Sequence, residues 1–161
     1  MEVIRRKTAA LIRGACRIGA MVAHAGPEEE NALADFGLHL GMAFQMADDL
    51  LDYTAETDVL GKEVGADLRE GKVTLPLIHT LKQATDKDRR KMAAIIQDTD
   101  FSLEDFNTLK GMLDTYGGIS YTRARAAEHV EKAKTALRIF PRSETRSLLE
   151  MLADYTLSRE V

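Results

Sequence analysis

The sequence predicts an all-α fold. Apolar residues recur at helical spacing along most of the 161 residues, and no segment sustains the period-two alternation of a half-buried strand. Helix breakers are few: the 3 prolines, Pro27, Pro76 and Pro141, fall at the edges of periodic segments. A composition of 45% hydrophobic and 30% charged residues suits one folded domain over residues 1–161, with a sizeable core and no disordered tract.

The elements follow in order. Residues 3–25 read as a helix rich in small residues (Ala9, Ala10, Gly14, Ala15, Gly19, Ala20, Ala23), which let neighbouring helices approach closely; Gly26-Pro27 ends it. A long helix over residues 28–54 begins with Glu28, Glu29 and Glu30, favourable at a helix N-terminus. Residues 55–72 lack periodicity and carry Gly61, Gly65 and Gly71, and a loop that long in a compact domain is often functional. Thr74 is placed to cap the next helix, with Pro76 in its first turn and its end near Ala84. A short helix over 86–97 comes next. Ser102 with Asp105 resembles a capping box and starts a helix that ends at Gly117-Gly118. A helix over 119–140 stops at Pro141, and Ser143 caps the last, 144–159. Internal repeats and domain linkers are not evident.

The net charge of −4 argues against nucleic acid or an anionic membrane as the main partner. Cys16 is the only cysteine, so it has neither a disulfide partner in the chain nor a second thiolate for a zinc site, and it reads as a small buried apolar residue. Arg13 and Arg17 interrupt the apolar run that follows Arg5, Arg6 and Lys7, so no signal peptide is expected. No stretch reaches the roughly 18 apolar residues of a membrane span. The expected location is cytoplasmic.

The informative segment is Gly41-Met42-Ala43-Phe44-Gln45-Met46-Ala47-Asp48-Asp49-Leu50-Leu51-Asp52. Wound as a helix, it gathers Gly41, Gln45, Asp48, Asp49 and Asp52 into one arc of about 100°. The rest of the circumference is apolar, so the helix is buried on most sides and its polar arc should face a cavity. Three carboxylates in such a place need a cation or must take up protons. Oxygen ligands at this spacing suit Mg²⁺, which keeps several waters and bridges carboxylates to phosphates. The competing reading is an ordinary amphipathic helix with a solvated acidic face.

Two Gly-Lys pairs follow, Gly61-Lys62 and Gly71-Lys72. Glycines permit tight turns beside a ligand, and lysines supply compact charge for phosphate oxygens. The spacing of Gly65 to Lys72 is not that of a G-x-x-x-x-G-K-[ST] phosphate loop. After the acidic helix, the lysines can take the phosphate charge that a carboxylate-held metal leaves, as in sites that stabilise a departing polyanion.

Phe44-Gln45-x-x-Asp48-Asp49-x-x-Asp52, then Gly61-Lys62, Gly65-x-Asp67-Leu68 and Gly71-Lys72-x-Thr74-x-Pro76, resembles the second aspartate-rich region of trans-isoprenyl (polyprenyl) diphosphate synthases of the octaprenyl or geranylgeranyl type. Lys7-Thr8-Ala9 resembles the family's upstream Lys-Thr helix, and Tyr155 and Arg159 its C-terminal helix. The resemblance implies a helical bundle of the isoprenoid synthase type, present as its C-terminal half. It also implies Mg²⁺-dependent condensation of an allylic prenyl diphosphate with isopentenyl diphosphate. On that basis Asp48, Asp49 and Asp52 form the metal shell, and Lys7, Lys62 and Lys72 hold the diphosphate. Thr8 and Gln45 turn oxygens toward the developing cation, and Phe44 lines the isoprenoid pocket. No second D-D-x-x-D-like string occurs, so the expected partner is a homo-oligomer or a chain supplying the N-terminal half. A non-catalytic helical subunit that binds Mg-diphosphate is the alternative. A class I terpene cyclase is less consistent with the paired Gly-Lys loop. His24, His39, His79 and His129 are too scattered for a zinc site and read as surface or core residues. Arg89, Arg90 and Lys91 read as a solvated face, and Arg123 and Arg125, on a helix that also carries Glu128 and Glu131, read as ion-pair partners rather than phosphate ligands.

Overall fold

A computed structural model describes residues 1–54, 65–98 and 100–158 of the chain, and every regular element among them is helical. A single turn, α1 (Glu2–Ile4), passes into a π-helical turn (Arg5–Ala9) and then α2 (Ala10–Val22). The long α3 (Pro27–Thr54) is followed by α4 (Ala66–Arg69), α5 (Leu75–Gln83), α6 (Asp86–Gln97) and α7 (Leu103–Thr115). Last come α8 (Gly118–Ala136), a 3₁₀ turn (Leu137–Ile139) and α9 (Glu144–Ser158). The chain divides into two compact units, residues 1–47 with 124–158, and residues 48–123.

In the first unit, Phe36, Leu40 and Ala43 of α3 pack with Val130 and Ala133 of α8, with Leu137, and with Ala153 of α9. Ile12 and Cys16 of α2 pack against the same cluster. Close helix approach depends on glycine here. A Cβ on Gly41 would lie 2.6 Å from Ala9 Cα, and one on Gly37 2.7 Å from the Ile12 carbonyl oxygen. The glycines that permit this approach belong to α3, and of the small residues expected to serve it in residues 3–25 only Ala9 and Ala20 are buried, whereas Ala10, Ala15, Gly19 and Ala23 are exposed and Gly14 and Gly19 have nothing within 4 Å of a Cβ.

The end of α2 differs from expectation. It stops at Val22, before Gly26-Pro27, because His24 turns left-handed (φ 55°) and Ala25 N–H reaches back to the Ala20 carbonyl at 3.0 Å. That bond satisfies an orphan carbonyl in the way of a Schellman cap, and histidine fills the position usually held by glycine or asparagine. Pro27 then opens α3, and the Glu29 carboxylate accepts from Gly26 N–H at 2.8 Å.

The second unit is built on Leu50, Tyr53, Leu68, Leu77, Met92, Phe101, Phe106, Leu109 and Leu113. The expected capping box is present: Ser102 Oγ accepts from Asp105 N–H, and the Asp105 carboxylate accepts from Ser102 N–H. Thr85 caps α6 in a simpler form. In the first unit, Ser143 accepts from Arg146 N–H as anticipated. Thr74 is a correction. Its side chain makes no cap bond to α5 and instead meets the buried Tyr53 hydroxyl at 3.2 Å. Arg89 is more than a solvated side chain, since its guanidinium donates to the Leu81 and Ala84 carbonyls at the end of α5.

Candidate diphosphate and metal site

Within the first unit, the π-helical turn carries Lys7 and Thr8, with Lys7 exposed. Turns of this kind inside helices recur at functional sites. The Thr8 hydroxyl donates to Gln45 Oε1 at 2.7 Å across 37 residues of sequence, and Ala9 lies against Gly41 one turn earlier on α3. The Lys-Thr motif is thus fastened to α3 within the first unit. With its proton donated to Gln45, Thr8 Oγ1 keeps its lone pairs as acceptors. Phe44 is half-buried.

Within the second unit, the aspartates differ in burial. Asp48 is exposed, Asp52 is half-buried, and Asp49 is only 6% exposed. The order follows the helical wheel, on which Asp52 falls between the other two. The polar arc therefore crosses from solvent into the interior, and the solvated-face alternative fails for Asp49 and Asp52.

Asp52 has two roles in this unit. Its Oδ1 accepts from Asp67 N–H at 3.3 Å, and the Ala66 and Leu68 amides also act on the carboxylate. These are the first amides of α4, which has no side-chain cap from Gly65, so Asp52 satisfies the helix start from α3. Its Oδ2 is buried and has no hydrogen-bond partner among the described residues. Burial pushes the Asp52 carboxyl above the usual carboxylate range, the Asp67 charge adds to the rise, and the amide bonds oppose it. Lys72, exposed beyond Gly71 (φ 73°), pairs with Asp67 and Glu70 at 2.7 Å each, and these partners raise its pKa. Burial likewise raises the Tyr53 phenol beyond its ordinary range. Gly61, Lys62 and Arg159 lie outside the described residues.

The donor chemistry fits Mg²⁺. A buried carboxylate oxygen without a partner and a neighbouring exposed carboxylate are hard oxygen ligands. Among the described residues, no three His, Cys, Asp or Glu side chains converge as a complete metal shell. Mg²⁺ does not require one, because it is commonly held by one or two carboxylates, waters and substrate phosphates.

Two features escaped the sequence. His39 and His129 meet in the first unit, and the Arg69 guanidinium lies 4.2 Å above the Phe101 ring in the second. Neither pair shares a local motif that spacing could reveal. Asp67, by contrast, stands in the Gly65-x-Asp67-Leu68 string, and its amide and carboxylate join Asp52 to Lys72.

The backbone is similar throughout to solved polyprenyl synthases. The Caulobacter crescentus enzyme, solved as a complex with calcium and isoprenyl diphosphate, is 39% identical with a TM-score of 0.91, covering 99% of this chain and 49% of that one. A decaprenyl diphosphate synthase from Rhodobacter capsulatus is 35% identical with a TM-score of 0.89, over 99% of this chain and 49% of that one. The polyprenyl synthetase family model matches residues 1–112, and the chain belongs to that family. It is 40% identical to the short chain isoprenyl diphosphate synthase of Methanothermobacter thermautotrophicus and 39% identical to the octaprenyl diphosphate synthase of Escherichia coli. Each match covers 99% of this chain and 49% of the relative. The chain spans about half the length of the curated relatives it matches and corresponds to their C-terminal half.

Proposed function

We propose that this chain supplies the C-terminal part of a trans-prenyltransferase site, which condenses an allylic prenyl diphosphate with isopentenyl diphosphate. The observation that supports the reading is the Thr8–Gln45 bond, which joins the Lys-Thr motif to α3 within the first unit. Bound Mg²⁺ would neutralise charge on the diphosphate as the allylic carbon–oxygen bond ionises. Asp48 and Asp52 hold that ion, with Asp49 completing the acidic shell. Lys7, Lys62 and Lys72 take the remaining phosphate charge; for Lys72 this means exchanging Asp67 or Glu70 for a phosphate oxygen. Thr8 and Gln45 present oxygens to the developing cation, and Phe44 lines the isoprenoid pocket. Among the described residues no helix is long and apolar enough to cross a membrane, and the setting we propose is the cytoplasm.

The second reading is a non-catalytic helical subunit or fragment that binds Mg-diphosphate but does not turn over alone, and the comparisons do not favour it over the prenyltransferase reading. Val3, Leu11, Ile18 and Val22 line one side of the first helical stretch, with Leu11 75% exposed. Leu148, Met151, Leu152 and Tyr155 do the same on α9. Exposed apolar stripes of this kind mark surfaces that another polypeptide covers. A condensation assay on the purified chain, alone and with the N-terminal half of a full-length relative, separates the two. Turnover by the chain alone at an ordinary enzymatic rate removes the need for a partner half. Absence of product even with the partner half removes the prenyltransferase reading.

A further inference from the structure

Two histidines that the proposed chemistry does not use meet in the first unit. His39 of α3 and His129 of α8 are 90 residues apart in sequence, and their Nδ1 atoms are separated by 2.9 Å. Their ring centroids lie 5.1 Å apart with the planes tilted by 42°. A nitrogen–nitrogen distance this short needs one hydrogen between the two atoms. One imidazole therefore donates Nδ1–H and the other accepts through a bare Nδ1, which fixes opposite tautomers. The pair sits beside the apolar seam in which Phe36, Leu40 and Ala43 meet Val130 and Ala133. His129 is only 8% exposed.

The charged groups facing the pair come from both helices. Lys132 and Asp35 act on His39, and Lys132, Arg125 and Glu128 act on His129. Arg125 and Glu128 are themselves paired at 2.6 Å. Burial is the largest influence on both imidazoles and lowers both. Lys132 adds to it at His39, where Asp35 opposes. At His129 the His39 ring, Lys132 and Arg125 add to it, Glu128 opposes, and the result is about 4.

We propose that the His39–His129 contact is an acid-labile latch, a neutral imidazole–imidazole hydrogen bond that clamps α3 to α8 and opens when the pair fills with protons. A first proton can enter on the donor ring's outer nitrogen and leave the bond intact. A second must occupy the accepting Nδ1, and two N–H groups then face each other at contact distance. The rings must separate, against the packing of the seam around them. The direction of the pH effect follows from linkage. An unfolded histidine titrates near about 6.5, whereas the folded pair titrates lower. Between those values the unfolded chain holds more protons, so stability falls as pH falls through that window and is whole above it.

Long-range ¹H–¹⁵N spectra of the imidazoles in the metal-free chain test this directly. Opposite Nδ1 tautomers at pH 7.5, with both rings titrating below an ordinary histidine, are expected. Matching tautomers, or two ordinary titrations, would overturn the latch. Thermal melts at pH 7.5 and 5.0 give the second measurement. The wild-type Tm should drop more over this interval than that of His39→Gln or His129→Gln, while the exposed-site control His24→Gln should keep the wild-type drop. Equal drops in all four proteins would sink the proposal. Should either pair variant fail to fold, the wild-type tautomers and titrations still decide.

Discussion

Asp52 shows how one side chain serves two ends. Its Oδ1 caps α4 and its Oδ2 lies buried without a partner among the described residues, so its removal should be felt with and without metal. In chelator, Asp52→Ala should lower stability by about 0.5–2 kcal/mol, the range for loss of a helix cap. Asp48→Ala, at an exposed position, should cost the chelated protein less than Asp52→Ala and still weaken Mg-pyrophosphate binding. Urea unfolding in EDTA, set beside calorimetric titration with Mg-pyrophosphate, separates the two effects. Equal apo-state losses for both variants would refute the capping role. The sequence made Asp52 legible as a ligand candidate through its spacing from Asp48. It could not reveal the cap, because the amides that Asp52 meets come from α4, where no apolar period announces a helix. The Thr74 expectation failed for a related reason: a cap-type residue was visible, but the competing Tyr53 hydroxyl was 21 residues away.

Among the elements, the long helices were legible because each repeats one apolar face over several turns and ends on a local signal. Ser102 with Asp105, Ser143 and the acidic start of α3 all act where their positions suggested. The last turn of α2 was misread because a histidine took the left-handed position and Gly26-Pro27 lay too far on to be the stop. Close approach between elements makes a sharper prediction. A Cβ on Gly118 would fall 2.5 Å from the Pro76 carbonyl oxygen, and one on Gly41 2.6 Å from Ala9 Cα. In both cases the obstacle is backbone, which cannot swing away. Each Gly→Ala change should therefore destabilise the protein by about 1–3 kcal/mol, despite alanine's better helix propensity. Gly14→Ala meets nothing within 4 Å and should be neutral or slightly stabilising. Chemical denaturation of the three variants checks the order.

Across the whole molecule, the apolar stripes on the first helical stretch and on α9 predict behaviour in solution. The isolated chain should self-associate as concentration rises, and Leu11→Glu with Ile18→Glu should suppress this without unfolding the protein. Light scattering and circular dichroism read the two effects. The same double variant should lose any turnover gained from an added N-terminal half. Pyrophosphate with Mg²⁺ should raise the Tm, because a ligand specific to the folded state stabilises it by about 2.7 kcal/mol at 100 times its dissociation constant. Either component alone should do so weakly. An equal shift from pyrophosphate without metal would mean the lysines suffice and the aspartates are not ligands.

The π-helical turn at Arg5–Ala9 acts as a phase adjuster. A regular helix sets the direction of every side chain once any one of them is fixed, so the inward set of Ala9 and Ile12 would dictate where Glu2, Arg5 and Arg6 point. The wider turn breaks that bookkeeping and gives the upstream residues their own azimuth. Deleting one residue within it should restore ordinary winding and leave Glu2–Ile4 at nearly the same azimuth relative to α2, because five residues in the wider turn sweep roughly the angle that four sweep in an α-helix. The inner packing of α2 and the side of the helix taken by the residues ahead of it would both survive such a deletion, whereas a substitution that forced all five residues into ordinary winding would swing those upstream residues by about 100°.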